Sequence, residues 1–402
     1  MFFSHAPPNE SKSVTETSLE RVSLAARLRN RIKREGPITF RDWMEAALYD
    51  PEDGYYCRAD RQRWGRAGDY RTSPERSPLF AATFAGYFSK LYEELNSPEH
   101  WTIVEVGAGA GDFAERMLET LERRFPDVFS ATCYIVDEVS RYSLAAARRR
   151  LARFGERVEF GCFKDLNPIE PGILFSNELL DAFPVNRVTL RENQLKEFYV
   201  GLGDDGQFGW IIGELSTPRL AEYFDLVGVR LVENQIAEVN LALEVWLEQV
   251  AAKLRRGYIV TVDYGAETTE LYSAPGRRQG TLRAFHRHQF VDDVFAHPGE
   301  QDITTTVDWT LVKRVGEQLG FETVEFERQD RFLLSAGLLE ELVSMTTETR
   351  DEVEKSQLRT AAREMILPGG MASSFQVLVQ KRLASRLLKR EAGFFSLKLG
   401  RA

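Results

Sequence analysis

"EVGAGAGDF", running from Glu105 to Phe113, decides the fold. It follows an apolar run, Trp101–Val106, that predicts a strand, and it opens onto a predicted helix over Asp112–Phe125. Gly107, Gly109 and Gly111 let the chain turn tightly and approach a ligand without a Cβ in the way. The helix start beyond them offers free N–H groups to an anionic group. A glycine triplet alone would suit a plain strand-to-helix turn; strand, spacing and helix together point to a ligand loop. The dinucleotide pattern G-x-G-x-x-G needs glycine at position 112, where this chain has Asp112. No P-loop Gly-Lys-Ser/Thr is present either, so ATP or GTP binding of that type is not expected.

The same rhythm continues outward. Tyr134–Val136, Val158–Phe160 and Gly172–Ser176 predict further strands, with helices over Asp112–Phe125 and Ser140–Phe154 between them. Tyr258–Asp263 adds another strand, Asp308–Leu319 a helix, and Glu322–Glu327 and Phe375–Gln380 two β-rich segments. Strands alternating with helices imply an α/β fold with a mostly parallel sheet covered on both faces. Upstream, spacing from Leu19 to Ile32 predicts a helix stopped by Gly36-Pro37, and Thr39 with Asp42 a capped helix through Leu48. Pro51–Gly68 reads as an ordered loop, and Ser73-Pro74-Glu75 as the start of a helix reaching Leu95. Hairpin-like strands over 186–232 and long connections over 265–305 and 336–370 read as insertions, and a long amphipathic helix is expected over Gln235–Arg255. Its apolar face would suit a homodimer, though burial within the chain is the simpler account. Residues 1–16 and 385–402 read as tails.

The 402 residues carry 43% hydrophobic and 28% charged side chains and a net charge of −9, as expected of a soluble globular protein and not of a nucleic-acid binder. Cys57, Cys133 and Cys162 are scattered and odd in number, which suits a reducing compartment. The histidines form no HExxH, and His286-x-His288 lacks a third ligand, so no metal site is expected. No apolar run is long enough for a membrane span. The N-terminal stretch lacks an apolar h-region and is poor as a transit peptide, which favours a bacterial cytoplasm; the mitochondrial matrix is the eukaryotic counterpart.

A second stretch is chemically odd. The apolar strand Gly172–Ser176 runs straight into Asn177, Glu178 and Asp181 before Pro184. Acids there would suit a helix N-terminus. They would also suit a cationic ligand.

The G-x-G-x-G loop resembles the first motif of class I S-adenosyl-L-methionine (SAM) methyltransferases. At larger scale the chain resembles the MidA-like methyltransferase family, which includes the mitochondrial complex I assembly methyltransferase. The resemblance rests on "GDYRTSPERSPLF" (68–80), "EVGAGAGDF", "SNELLDAFPV" (176–185), "VTVDYG" (260–265), "GTLRAFHRH…HPGEQDITTTVDW" (280–309), "QDRFLLSAGL" (329–338) and "LPGGMASSFQVLVQ" (367–380). It implies a Rossmann-like, seven-stranded class I fold over 101–384, SAM as methyl donor, and methylation of arginine on a complex I-type respiratory subunit.

Carried over by position, Glu105, Gly107, Gly109 and Gly111 would hold the donor. Asp137 or Glu138 would bind its ribose, and Asp165 its adenine amine. Thr72, Ser73 and Pro74 would close the donor site, as part of a helical region over 17–100. Glu178 and Asp181 would clamp the acceptor, Asn177 would position it, and His288 would accept or relay a proton. Asp302, Thr304 and Asp308 match the family and suit a loop-organising role. Where the family loop carries Pro and Arg, this chain has Ala108 and Ala110.

Overall fold

The computed structural model describes residues 22–58, 77–273, 275–287, 289–367 and 374–383. At its centre lies a sheet whose strands, in chain order, are β1 (Trp101–Val106), β2 (Thr132–Asp137), β3 (Val158–Phe160), β4 (Gly172–Asn177), β5 (Gly257–Ala266), β6 (Glu322–Arg328) and β7 (Phe375–Arg382). Their spatial order is β6-β7-β5-β4-β1-β2-β3. The first five strands run parallel, and β7 is antiparallel to both β5 and β6. The short strand Val307–Asp308 pairs with the end of β5.

Burial explains the apolar runs. Along β4, Gly172 to Ser176 are all buried, as required of a central parallel strand with helices on both faces. On one face, Phe175 stacks on Phe113 with centroids 4.3 Å apart and packs near Phe84. That face is covered by the helices Pro78–Glu94, Asp112–Arg124, Gln329–Ala336 and Glu352–Ile366. The other face is covered by the helices Ala242–Lys253 and Trp309–Gln318.

A smaller core lies beside the carboxyl ends of the strands. The helices Leu24–Glu35 and Phe40–Tyr49 bury Leu28, Trp43 and Met44 against Val200 and Ile303. The second helix is capped by Thr39, whose hydroxyl accepts from the Asp42 N–H at 3.1 Å, as its sequence predicts. Val200 belongs to a five-stranded sheet built mainly from Asn186–Arg191, Gln194–Leu202, Phe208–Gly213 and Ile236–Val239.

Two expectations are corrected. The long helix over Gln235–Arg255 is instead a strand, Ile236–Val239, followed by the shorter helix Ala242–Lys253. Ile236–Val239 alternates in burial and pairs with Asn186–Arg191, and Asn240 Oδ1 accepts from the Leu243 N–H at 3.3 Å where the helix begins. The apolar face of that helix, Leu243, Leu247 and Val250, is buried within the chain. Second, the helix that reaches Glu94 opens at Pro78 with Ser77 as its cap. Thr72, Ser73, Pro74 and His288 lie outside the described residues, as does most of the 51–68 loop.

Candidate active site

The donor half is built by β1, β2 and the loop between β1 and the helix Asp112–Arg124. Gly107, Gly109 and Gly111 have φ of 74°, 55° and 80°, in the left-handed region that favours glycine. A Cβ on Gly107 would come 3.2 Å from Leu179 Cδ1, and one on Gly111 would come 3.1 Å from Ala147 Cβ. The loop is tied down by the Gly107 and Ala108 N–H groups, which donate to the Asp137 carbonyl at 2.9 and 3.2 Å.

The two acids after β2 divide their work. Asp137 turns to the next strand's loop, where its Oδ2 accepts from the Phe163 N–H at 2.9 Å; burial holds its carboxyl above the usual range. Glu138 lies over the glycine loop, with Oε2 accepting from the Gly109 N–H at 2.8 Å and Oε1 from the Ser140 N–H at 2.6 Å. Asp165 is exposed at the end of the turn Phe163–Asp165.

Glu105 sits deeper. It is buried, with Oε2 accepting from the Tyr134 hydroxyl at 2.7 Å. Burial pushes its carboxyl up to about 8; the Tyr134 bond opposes the rise, and Asp112 and Glu138 add to it. A folded-state value above the ordinary 4.5 means that this group's stabilisation is complete below pH 4.5 and is lost as pH rises through about 8. Across that window the loss is at most about 1.4 kcal/mol per pH unit. Glu105→Gln is therefore expected to flatten the fall of unfolding free energy between pH 5 and pH 8, measured by urea titration at several pH values. Identical pH slopes in variant and wild type would contradict the assignment.

The second group of candidate residues begins where β4 ends. Glu178 has φ of 53°, a strained value for a glutamate, and its N–H donates to the Val262 carbonyl at 2.9 Å. No helix starts there; residues 178–185 run as turns, which removes the helix-dipole explanation of the acids. Asp263, at 0% exposure, organises the turn. Its Oδ2 accepts from the Leu180 and Asp181 N–H groups at 2.9 and 3.3 Å, and its Oδ1 from the Tyr264 N–H at 2.8 Å.

Asp181 is 4% exposed, and its Oδ1 has no hydrogen-bond partner. Burial pushes its carboxyl up to about 7; the Tyr264 side chain bonds to it and opposes the rise, while the charge of Asp302 adds to it. The Asp181 carbonyl accepts from the Thr305 N–H at 3.0 Å, joining this turn to the segment that carries Asp302. Asn177 donates from Nδ2 to Glu178 Oε1 at 3.2 Å, and its own Oδ1 is buried without a partner.

Three residues complete the surroundings that sequence reasoning left out or assigned elsewhere. The Tyr56 hydroxyl donates to Asp302 Oδ1 at 2.7 Å, and the Tyr49 hydroxyl to the Ala182 carbonyl at 3.0 Å. Burial, and then the charges of Asp181, Asp302 and Glu138, push the Tyr49 phenol well above its usual range. One side chain thus senses both halves of the site. Asp308 does serve the loop, capping Trp309–Gln318 and accepting from Thr268 and Tyr223.

A strand, a glycine loop and a carboxylate over that loop, at the carboxyl edge of a sheet in this order, define the class I methyltransferase fold. The chain belongs to a family of S-adenosyl-L-methionine-dependent methyltransferases, whose model matches residues 83–327. It is 26% identical over 341 residues to the Drosophila melanogaster "Protein arginine methyltransferase NDUFAF7 homolog, mitochondrial", covering 78% of this chain and 75% of the relative. It is 24% identical to the Mus musculus "Protein arginine methyltransferase NDUFAF7, mitochondrial", covering 96% and 89%. A Burkholderia thailandensis crystal structure with bound S-adenosyl-homocysteine superposes with a TM-score of 0.78 at 29% identity, covering 90% of this chain and 92% of that one. A native structure from the same organism gives 0.77 at 30% identity, with the same coverage.

The protein is a SAM-dependent methyltransferase, as its sequence predicts. The glycine cradle and the Glu138 carboxylate fit that donor, one by close backbone approach and the other by its capacity to accept two hydroxyl donors. Among the described residues, no helix is long and apolar enough to cross a membrane.

Proposed function

We propose that this enzyme methylates an arginine side chain of a protein, a subunit of a complex I-type respiratory enzyme, in the bacterial cytoplasm or its mitochondrial counterpart. The observation that carries the arginine is Asp181, a buried carboxylate with an unpartnered oxygen at the end of β4, beside Glu178 and Asp302. The fly and mouse relatives, named protein arginine methyltransferases, support the same acceptor.

In this reading Gly107, Gly109 and Gly111 cradle the donor, Glu138 takes the ribose hydroxyls, and Asp165 takes the adenine amine. Asp137 turns away from the glycine loop to Phe163 while Glu138 lies over that loop, which favours Glu138 of the pair. Glu105 supports the loop from beneath, and Thr72, Ser73 and Pro74 close the site. The donor supplies an electrophilic methyl group on a sulfonium.

Glu178 and Asp181 hold the guanidinium as a planar cation, and Asn177 sets its approach. Negative charge opposite the attacking nitrogen draws positive charge away from it and leaves a lone pair there. As the nitrogen–carbon bond forms, the methyl–sulfur bond breaks with its electron pair staying on sulfur, and the nitrogen loses a proton; Asp181, at about 7, is matched to receive it, and His288 is the candidate to pass it on. Because Asp181 must be ionised to bind the cation, kcat/KM is expected to rise with pH through about 7.

The test uses the purified enzyme with methyl-labelled SAM and a cell extract split into protein and small-molecule fractions. Label in the protein fraction supports the reading. Label in metabolites alone would favour a small-amine methyltransferase, and no label in either would favour an assembly factor that binds the donor without using it.

A further inference from the structure

Asp302 is a further buried carboxylate, close enough to Asp181 for its charge to raise that group. It is 4% exposed and lies on the short strand Asp302–Thr304, which pairs with Arg283–His286 and not with the main sheet. Its Oδ1 accepts from Tyr56, its charge raises both Asp181 and Tyr49, and Thr305 joins its segment to the Asp181 turn.

An acidic cluster by itself requires no ligand. What points to one is Asp181 Oδ1, a buried carboxylate oxygen without a hydrogen-bond partner on the turn joined to the Asp302 segment. Two acceptor-only oxygens, Asp181 Oδ1 and Gln301 Oε1, are buried without hydrogen-bond partners, the second on the residue next to Asp302. Asp181 and Gln301 are only 4% and 1% exposed. Asp263 is 0% exposed, and its oxygens take three backbone N–H donors within the turn.

Acceptors left in excess call for a group made of donors. A guanidinium has five N–H donors in a planar fork and no acceptor, and it stays charged at any working pH. An ammonium is a compact point charge that cannot reach carboxylates on two separate elements with one rigid plane.

We propose that Asp302, oriented by Tyr56, is the third carboxylate of the acceptor pocket, and that the Asp181–Asp302 pair makes the pocket choose a guanidinium over an ammonium. The proposal rests on the arginine reading above and deepens it. Tyr56 acts as a positioning residue, holding one oxygen of Asp302.

The groups facing Asp181 are Asp302, Asp263, Tyr264, Tyr49 and Tyr56, with Glu178 acting on Asp263 and Arg283 over the Tyr264 ring at 5.6 Å. With Asp302 present, part of Asp181 is protonated near neutrality, and binding a cation expels that proton. Without Asp302, Asp181 ionises at lower pH, and cation binding releases fewer protons.

The test titrates the full chain, saturated with S-adenosyl-homocysteine, with N-acetyl-arginine methylamide and with its lysine counterpart. Calorimetry in two buffers of different ionisation enthalpy reads affinity and proton release together. Wild type is expected to bind the arginine probe about ten-fold tighter than the lysine probe, and Asp302→Asn to lose about ten-fold. Proton release falls in Asp302→Asn, and S-adenosyl-homocysteine affinity stays within about two-fold. Tyr56→Phe gives a smaller loss in the same direction. Equal arginine affinity and equal proton release in Asp302→Asn and wild type would overturn the role of Asp302 and leave the arginine reading standing. If Asp302→Asn does not fold, unchanged affinity and proton release in Tyr56→Phe would overturn it instead. A wild type that prefers the lysine probe, or binds neither, would overturn the arginine reading itself.

Discussion

Asp181→Asn is expected to lower kcat/KM for methyl transfer by about 10²–10³-fold while donor binding is unchanged. The size follows from removing one member of a buried, hydrogen-bonded charge pair, about 3–4 kcal/mol. The side chain is 4% exposed, so water replaces little of what the carboxylate contributes to a bound cation. Asparagine keeps the shape, and the Thr305 N–H still reaches the backbone carbonyl of residue 181. Folding should not suffer. The folded-state value of about 7 means that the ionised form is disfavoured in the empty site, so the neutral variant should be at least as stable at pH 8. Steady-state kinetics with a calorimetric check of donor affinity decides this. Equal loss of donor binding and turnover would instead mark Asp181 as part of the scaffold.

Gly109→Val is expected to weaken SAM binding by about 10²-fold or more. Gly109 has φ of 55°, where a β-branched side chain costs about 1–3 kcal/mol of backbone strain. Its N–H also donates to Glu138 at 2.8 Å, so relief of that strain moves the carboxylate as well. The two losses together reach the expected size. Calorimetric titration of wild type and variant reads it directly, and retained affinity in a folded variant would place the donor elsewhere.

Much of this was legible in the sequence where the signal is local. β1 and β3 match their predicted bounds, because apolar runs between turn residues mark central strands clearly. Gly107, Gly109 and Gly111 lie in the left-handed region, and their spacing already suggested it. The anomaly at Asn177, Glu178 and Asp181 was visible because carboxylates are rarely placed at the end of a buried strand without a partner.

What stayed hidden depends on distant pairings. Ile236–Val239 reads as helix in isolation and becomes a strand only because Asn186–Arg191 offers it an edge. Asp302 reads as a loop former until Tyr56, 246 residues away in sequence, is found donating to it. Asp263 reads as the end of a strand, but its carboxylate takes three backbone N–H groups of the β4 and β5 ends. No periodicity or spacing rule carries such information.

The measurement that tests the central claim most directly is mass spectrometry of proteins from cells with and without this chain, read residue by residue. The account predicts at least one arginine, on a respiratory complex subunit, that carries one or two methyl groups only when the chain is present, and loses them when Asp181→Asn replaces wild type. Methylation appearing on lysine or on no protein residue, with the same dependence on the chain, would contradict it.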